Sequence, residues 1–266
     1  MNYVPLSFLD LALAAALVLV NAAVSLAFSL RLERTLALSA VRMVVQLALV
    51  ALVLRWIFAQ TSLPLTLLLA TVMVGAAGWE ALSRQHRRIA GWHVYGLGTS
   101  TLFVVGLMAT MFAVAGVIRP DPWYAPRYVL PLLGMVLGNA MTGMALTLDQ
   151  MTSSAFRERG AIEARLALGA PRFTAMQDVL RNAVRSGLMP ILNAMAATGV
   201  VSLPGMMTGQ ILAGVDPVEA AKYQVMILFV IAGATALTVV LTGIGAVLLL
   251  TDDRHRLRLD RLASRD

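Results

Sequence analysis

Met206 and Met207 put two soft, polarizable thioethers side by side, and Gln210 adds an amide three residues later. They sit in VSLPGMMTGQILAGVDP, where Pro204 removes a backbone donor and Gly205 and Gly209 allow another backbone to approach closely. Such groups can line a path for an ion or small molecule; methionine can equally fill irregular gaps in packing. Upstream, Met135 and Asn139 in PLLGMVLGNAM and Thr142 just after it are spaced by four and three, on one face of a helix. In apolar surroundings Asn139 needs either an interhelical hydrogen bond, worth about 0.6–2 kcal/mol, or a wet cavity. The same segment spaces Gly134, Gly138 and Thr142 by four, a small-residue stripe that admits a neighbouring helix.

Between these two groups lies a mechanical one. In Glu163-Ala164-Arg165-Leu166-Ala167-Leu168-Gly169-Ala170, Leu166 and Leu168 join Ile162 in a mixed apolar face. Gly169 can take the left-handed conformation that ends a helix, and Pro171 suits the first turn of the next. Phe173 to Arg185 then has amphipathic spacing, with Asp178 placed to pair with Arg181 and Arg185. The expectation is helix, sharp turn, helix; a solvated basic loop is the simpler alternative.

Other chemistry is not apparent. No paired aspartates at membrane depth, Ser-Lys pair or H-E-x-x-H occurs, so no catalytic residue is assigned. The absence of cysteine excludes disulfides, thiolate metal sites and cysteine catalysis. His86, His93 and His255 share no metal-site spacing, and metal ligands stay unassigned. No G-x-x-x-x-G-K-[ST] loop is present, so nothing in the sequence cradles the phosphates of ATP.

The elements that position these groups follow from composition. The chain of 266 residues is 59% hydrophobic and 13% charged, with a mean hydropathy of +0.80. Soluble domains carry about 25% charged residues. Apolar runs of about 20 residues recur, each long enough to cross a bilayer, while alternating strand-like segments are absent. An all-α integral membrane protein is predicted, with about seven transmembrane helices in one domain over residues 1–266. The longest polar break, about 149–186, forms an elbow between spans five and six. Span six begins near Gly187 and is interrupted at Ser202 to Gly205, as one kinked helix or as a helix plus a re-entrant segment. Asp216 with Pro217 and Glu219 marks the start of a helix. With seven spans, sixteen of the 21 basic residues fall on the side of the C-terminus and four on the other, Arg42 lying within a span. The bias predicts the N-terminus outside, and the C-terminus and elbow in the cytoplasm. The net charge of +7 then reflects membrane topology, and no nucleic-acid partner is expected.

PLLGMVLGNAM, EARLALGA, VSLPGMMTGQILAGVDP and AAKYQ, in this order and at these distances, resemble the FetB-like family of iron-export ABC transporter permeases, which has plant relatives linked to aluminium tolerance. Glu163, Ala164 and Gly169 also resemble the EAA loop of importer-type permeases, with Arg165 standing where a second alanine belongs. The resemblance is closest from Pro131 to Gln224. It implies a multi-pass permease of the bacterial inner membrane, surrounded by lipid, that binds no cofactor itself. Two copies would pair as a homodimer with two copies of a separate ABC ATPase subunit, which holds ATP and magnesium. The ATPase is expected to dock on a coupling helix comprising Glu163, Ala164, Leu166, Gly169, Ala170 and Pro171. Met135, Asn139, Thr142, Pro204, Gly205, Met206, Met207 and Gln210 form the expected path or gate. The cargo implied is iron or a similar metal ion; the alternative is an organic substrate, such as a nucleotide sugar or a metal-chelate metabolite.

Overall fold

Inside a bilayer a chain must satisfy its backbone hydrogen bonds within each segment, and long apolar runs therefore become helices. The computed structural model of the protein describes residues 7–60, 62–83, 87–89, 92–252, 254 and 256–264. In order these form α1 (Phe8–Ala27), α2 (Glu33–Phe58), α3 (Leu63–Ser83), β1 (Arg87–Ile89), α4 (Trp92–Met111), α5 (Pro126–Arg157), α6 (Arg159–Ala167), α7 (Arg172–Ala175), α8 (Gln177–Ala197), α9 (Gly205–Leu212), α10 (Pro217–Leu250) and β2 (Leu262–Ser264). A π-helical turn, Phe112–Ile118, extends α4. Among the described residues six helices are long and apolar enough to cross a membrane: Phe8–Ala27, Glu33–Phe58, Leu63–Ala81, Tyr95–Ile118, Pro126–Arg157 and Pro217–Leu250. The protein is an all-α membrane protein.

The chain divides into two compact units, Met1–Thr61 and Ser62–Asp266. In the first, Ser7 and Asp10 form a reciprocal capping box at the start of α1. The turn to α2 is closed by Ser25, whose hydroxyl donates to Glu33 Oε2 at 2.9 Å and accepts from the backbone N–H of Leu32 at 2.9 Å.

In the second unit α5 packs against α3, α4, α8 and α10. Leu133, Leu137, Met144, Leu148 and Met151 of α5 are buried in one apolar cluster, which Ile162 and Met176 continue out to the elbow. The α5–α8 crossing depends on two glycines. A Cβ on Gly187 would lie 2.8 Å from the carbonyl oxygen of Gly143 and would collide with the hydroxyl of Thr147. A Cβ on Gly143 would lie 3.0 Å from the carbonyl oxygen of Gly187. The expected small-residue stripe behaves differently. Gly134 faces Met73, whereas Gly138 is exposed with no neighbour within 4 Å of where its Cβ would be.

The predicted sixth span takes another form. Its helix, α8, starts ten residues before Gly187 and carries Asp178, Arg181 and Arg185 in its first half, so its composition does not mark it as a membrane span. It ends at Ala197, and residues 198–204 turn before α9 begins. Gly199 takes a φ of +88° there, and its N–H donates to the carbonyl of Ser202 at 2.9 Å. Pro204 precedes α9 in an extended conformation. Helices α8 and α9 are therefore separate rather than one kinked helix. Asp216 caps α10 by accepting from the N–H groups of Val218 and Glu219, with Pro217 in the first turn.

The basic tail folds back. Beyond α10, β2 pairs antiparallel with β1, the N–H of Arg258 donates to the carbonyl of Leu250 at 2.8 Å, and Leu257, Leu259 and Leu262 pack on the cluster that holds Ile162.

Candidate functional site: a cavity and an elbow at opposite ends of α5

The two candidate regions lie at opposite ends of α5. From Met135 to Arg157 is 22 residues, about 33 Å of helix.

At the C-terminal end stands the elbow. Helix α6 is closed by a Schellman motif: the N–H of Ala170 donates to the carbonyl of Arg165 at 3.0 Å, and that of Gly169 to the carbonyl of Leu166 at 3.0 Å. The motif needs a left-handed residue, and Gly169 supplies a φ of +88°. Pro171 lies just before the single turn α7, and Met176 separates α7 from α8, so the amphipathic stretch is two helices rather than one. Ile162 is buried, and Leu166 and Ala170 pack on the same cluster. Glu163 Oε1 accepts from Arg159 Nε at 2.8 Å. Asp178 pairs with Arg165 across the elbow at 2.9 Å, in place of the expected Arg181 and Arg185. Arg165 also donates to the carbonyl of Ala175 at 3.3 Å, so that it ties α6 to the end of α7 as well as to the start of α8. Leu168 of the elbow is 88% exposed, and Ala164 and Phe173 are exposed as well.

At the other end a cavity of about 510 Å³ lies between α5, α9 and α10. Met135 lines it from α5, and Met206 and Gln210 from α9. Three of the predicted path residues are thus brought together. The remaining walls are Ile118, Pro131, Leu132, Val215 and Ile227, with Arg127, Tyr128 and Tyr223 as the other polar groups. Gln210 Oε1 is buried with no hydrogen-bond partner. The guanidinium carbon of Arg127 lies 5.6 Å from the centre of the Tyr128 ring.

The other predicted path residues lie outside this lining. Asn139 Nδ2 donates to the carbonyl of Met135 at 2.9 Å, and Thr142 Oγ1 donates to that of Gly138 at 2.9 Å, so both satisfy themselves on their own helix. Pro204 and Gly205 start α9, and Met207 lies half-buried on it. His86 and His255 lie outside the described residues, as does the side chain of His93. Among the described residues no group of three His, Cys, Asp or Glu could hold a metal ion. Sequence reasoning missed Arg127, Tyr128 and Tyr223 as cavity residues. Their position in RPDPWYAPRY and AAKYQ suits a membrane interface, and that property alone does not distinguish a lipid anchor from a cavity mouth.

Apolar helices, a broken segment and a cavity beside that segment define a multi-pass helical membrane protein. Residues 8–248 match the family described as Uncharacterised protein family UPF0014, and the chain belongs to it. It is 32% identical over 253 residues, 95% of either chain, to the Escherichia coli (strain K12) protein named "Probable iron export permease protein FetB". It is 36% identical over 228 residues, 85% of this chain and 81% of the other, to the Arabidopsis thaliana protein named "Protein ALUMINUM SENSITIVE 3". A third relative, "UPF0014 membrane protein slr1647" from Synechocystis, is 37% identical over 193 residues, 71% of this chain and 73% of its own. No solved structure matches the chain significantly.

Proposed function

We propose that the protein is the permease subunit of an ABC transporter in the bacterial inner membrane, exporting iron or a similar metal ion. Support for the cargo comes from the relative named as a probable iron export permease, matched over 95% of both chains. Support for the coupling comes from the elbow. A nearly fully exposed Leu168 stands on a helix whose other face is anchored by Ile162. A leucine at such a tip loses its contact with water only when a partner covers it.

In this reading a separate ATPase, carrying ATP and magnesium, receives α6 in a groove, and its closure moves α6 and α8 together through Arg165 and Asp178. Two permeases and two ATPases form the working unit. The stripe of exposed Gly138 and half-buried Thr142, small enough for close approach, favours a second copy beside α5. The test is co-expression with an ATP-binding-cassette subunit. The complex is expected to co-purify, and Leu168→Asp to abolish that association while the permease alone keeps its thermal unfolding temperature. Unchanged association of Leu168→Asp with the ATPase overturns the docking assignment.

A further inference from the structure

The cavity between α5, α9 and α10 carries information about what it accepts. Its volume of about 510 Å³ falls in the range of small-molecule sites, about 300–1,000 Å³. A hexahydrated metal ion is much smaller: six waters at about 30 Å³ each come to about 180 Å³. Of its eleven lining residues one is charged, and that one, Arg127, is a cation. A bare metal cation there would meet a guanidinium, and ferrous iron prefers imidazole and oxygen ligands to thioethers. Guanidinium instead suits carboxylate or phosphate oxygens. Gln210 Oε1 is a buried acceptor without a partner, so a bound molecule that brings a hydroxyl or N–H satisfies it. Tyr128 and Tyr223 can donate or accept, and Ile118, Leu132, Val215 and Ile227 supply apolar wall.

We propose that this cavity binds a hydroxylated organic anion, its anionic oxygens on Arg127 and its hydroxyl on Gln210, and not a bare metal cation. The anion arrives either free or as the ligand shell of a metal ion; the recognition chemistry is the same in both cases. The inference rests on the permease reading above and narrows its cargo to an organic anion, free or carrying a metal ion.

The experiment uses the full-length protein in lipid nanodiscs and titration calorimetry with three probes: ferrous chloride under reducing conditions, citrate, and ferric citrate. Citrate or ferric citrate is expected to bind saturably, and ferrous chloride to give no saturable heat. Binding by citrate alone and binding only by ferric citrate distinguish the free anion from the chelate. Arg127→Gln is expected to weaken binding at least tenfold and Gln210→Leu several-fold, with Arg127→Lys retaining part of the affinity. Unchanged unfolding temperatures show that each variant is folded. Saturable binding of ferrous chloride, no binding of either citrate probe, or unchanged affinity in Arg127→Gln overturns the proposal. Transport separates the two readings. ATP-driven iron movement without citrate binding removes this inference and leaves the permease; no ATP-driven movement of iron or citrate removes the permease reading itself.

Discussion

Gly169 is the residue on which the elbow turns. A β-branched side chain at a φ of +88° costs about 1–2 kcal/mol and opposes the Schellman closure. Gly169→Val is therefore expected to lower transport at least tenfold in vesicles while the ATPase still co-purifies. Loss of co-purification would instead make the elbow a dock that transmits nothing. Arg165 makes the complementary case. In the sequence it is a departure from a familiar motif; in the structure it bridges Asp178 and the carbonyl of Ala175. The pair is half exposed and worth about 0.2–1 kcal/mol, so its value is geometric. Reversing both charges, Arg165→Asp with Asp178→Arg, is expected to restore coupling lost in either single variant. Its partner was not legible in the sequence because helical spacing favours Arg181 and Arg185, and only the sharp turn at Gly169 brings α6 back across α8.

The helices themselves were legible as apolar runs, while the places where they touch were not. Spacing marked Gly134 and Gly138 as a stripe for close approach, yet the tight crossing is at Gly143 and Gly187. A stripe of small residues shows where a helix can come near, but the neighbour's own shape decides where it does. Overpacking typically costs about 1–3 kcal/mol, and Gly187→Ala is expected to lower the unfolding temperature in detergent accordingly. Gly138→Ala has open space and is expected to change stability by less than about 0.5 kcal/mol. The broken segment was legible from Pro204 and Gly205, but not its extent, because α8 draws its start from the charged stretch before Gly187. The tail adds an element that composition concealed. Asp252 is held below the usual carboxylate range by the backbone N–H of Arg256 and, secondarily, by its guanidinium. A lowered folded-state value means that its contribution is complete above the ordinary aspartate value of about 3.9 and is lost as pH falls below it. The protection factor of the β2 amides, corrected for the intrinsic pH dependence of amide exchange, is expected to be constant from neutrality down to about pH 4.5 and to fall only in stronger acid.

For the whole molecule, topology and cargo are the questions that matter. The cysteine-free chain suits single-cysteine labelling. Leu168→Cys and Val200→Cys lie at the two ends of the elbow–α8 segment, and Val200 is 91% exposed. The positive-inside count predicts that impermeant reagents reach position 168 only from the cytoplasm; labelling of position 200 only from the opposite side would show that α8 crosses the membrane. The membrane class was legible from composition and the family from motif order, since composition records what a bilayer demands of residue types. The cavity was only partly legible: Met135, Met206 and Gln210 were visible, whereas Arg127, Tyr128 and Tyr223 converge only once α5 and α10 are packed. The most direct measurement is iron accumulation in inside-out vesicles that contain the permease and its ATPase subunit. ATP-dependent uptake of iron into the vesicle lumen is expected, abolished when the ATPase cannot hydrolyse ATP. Vesicles whose complex hydrolyses ATP yet accumulate no iron, ionic or chelated, would contradict the permease reading.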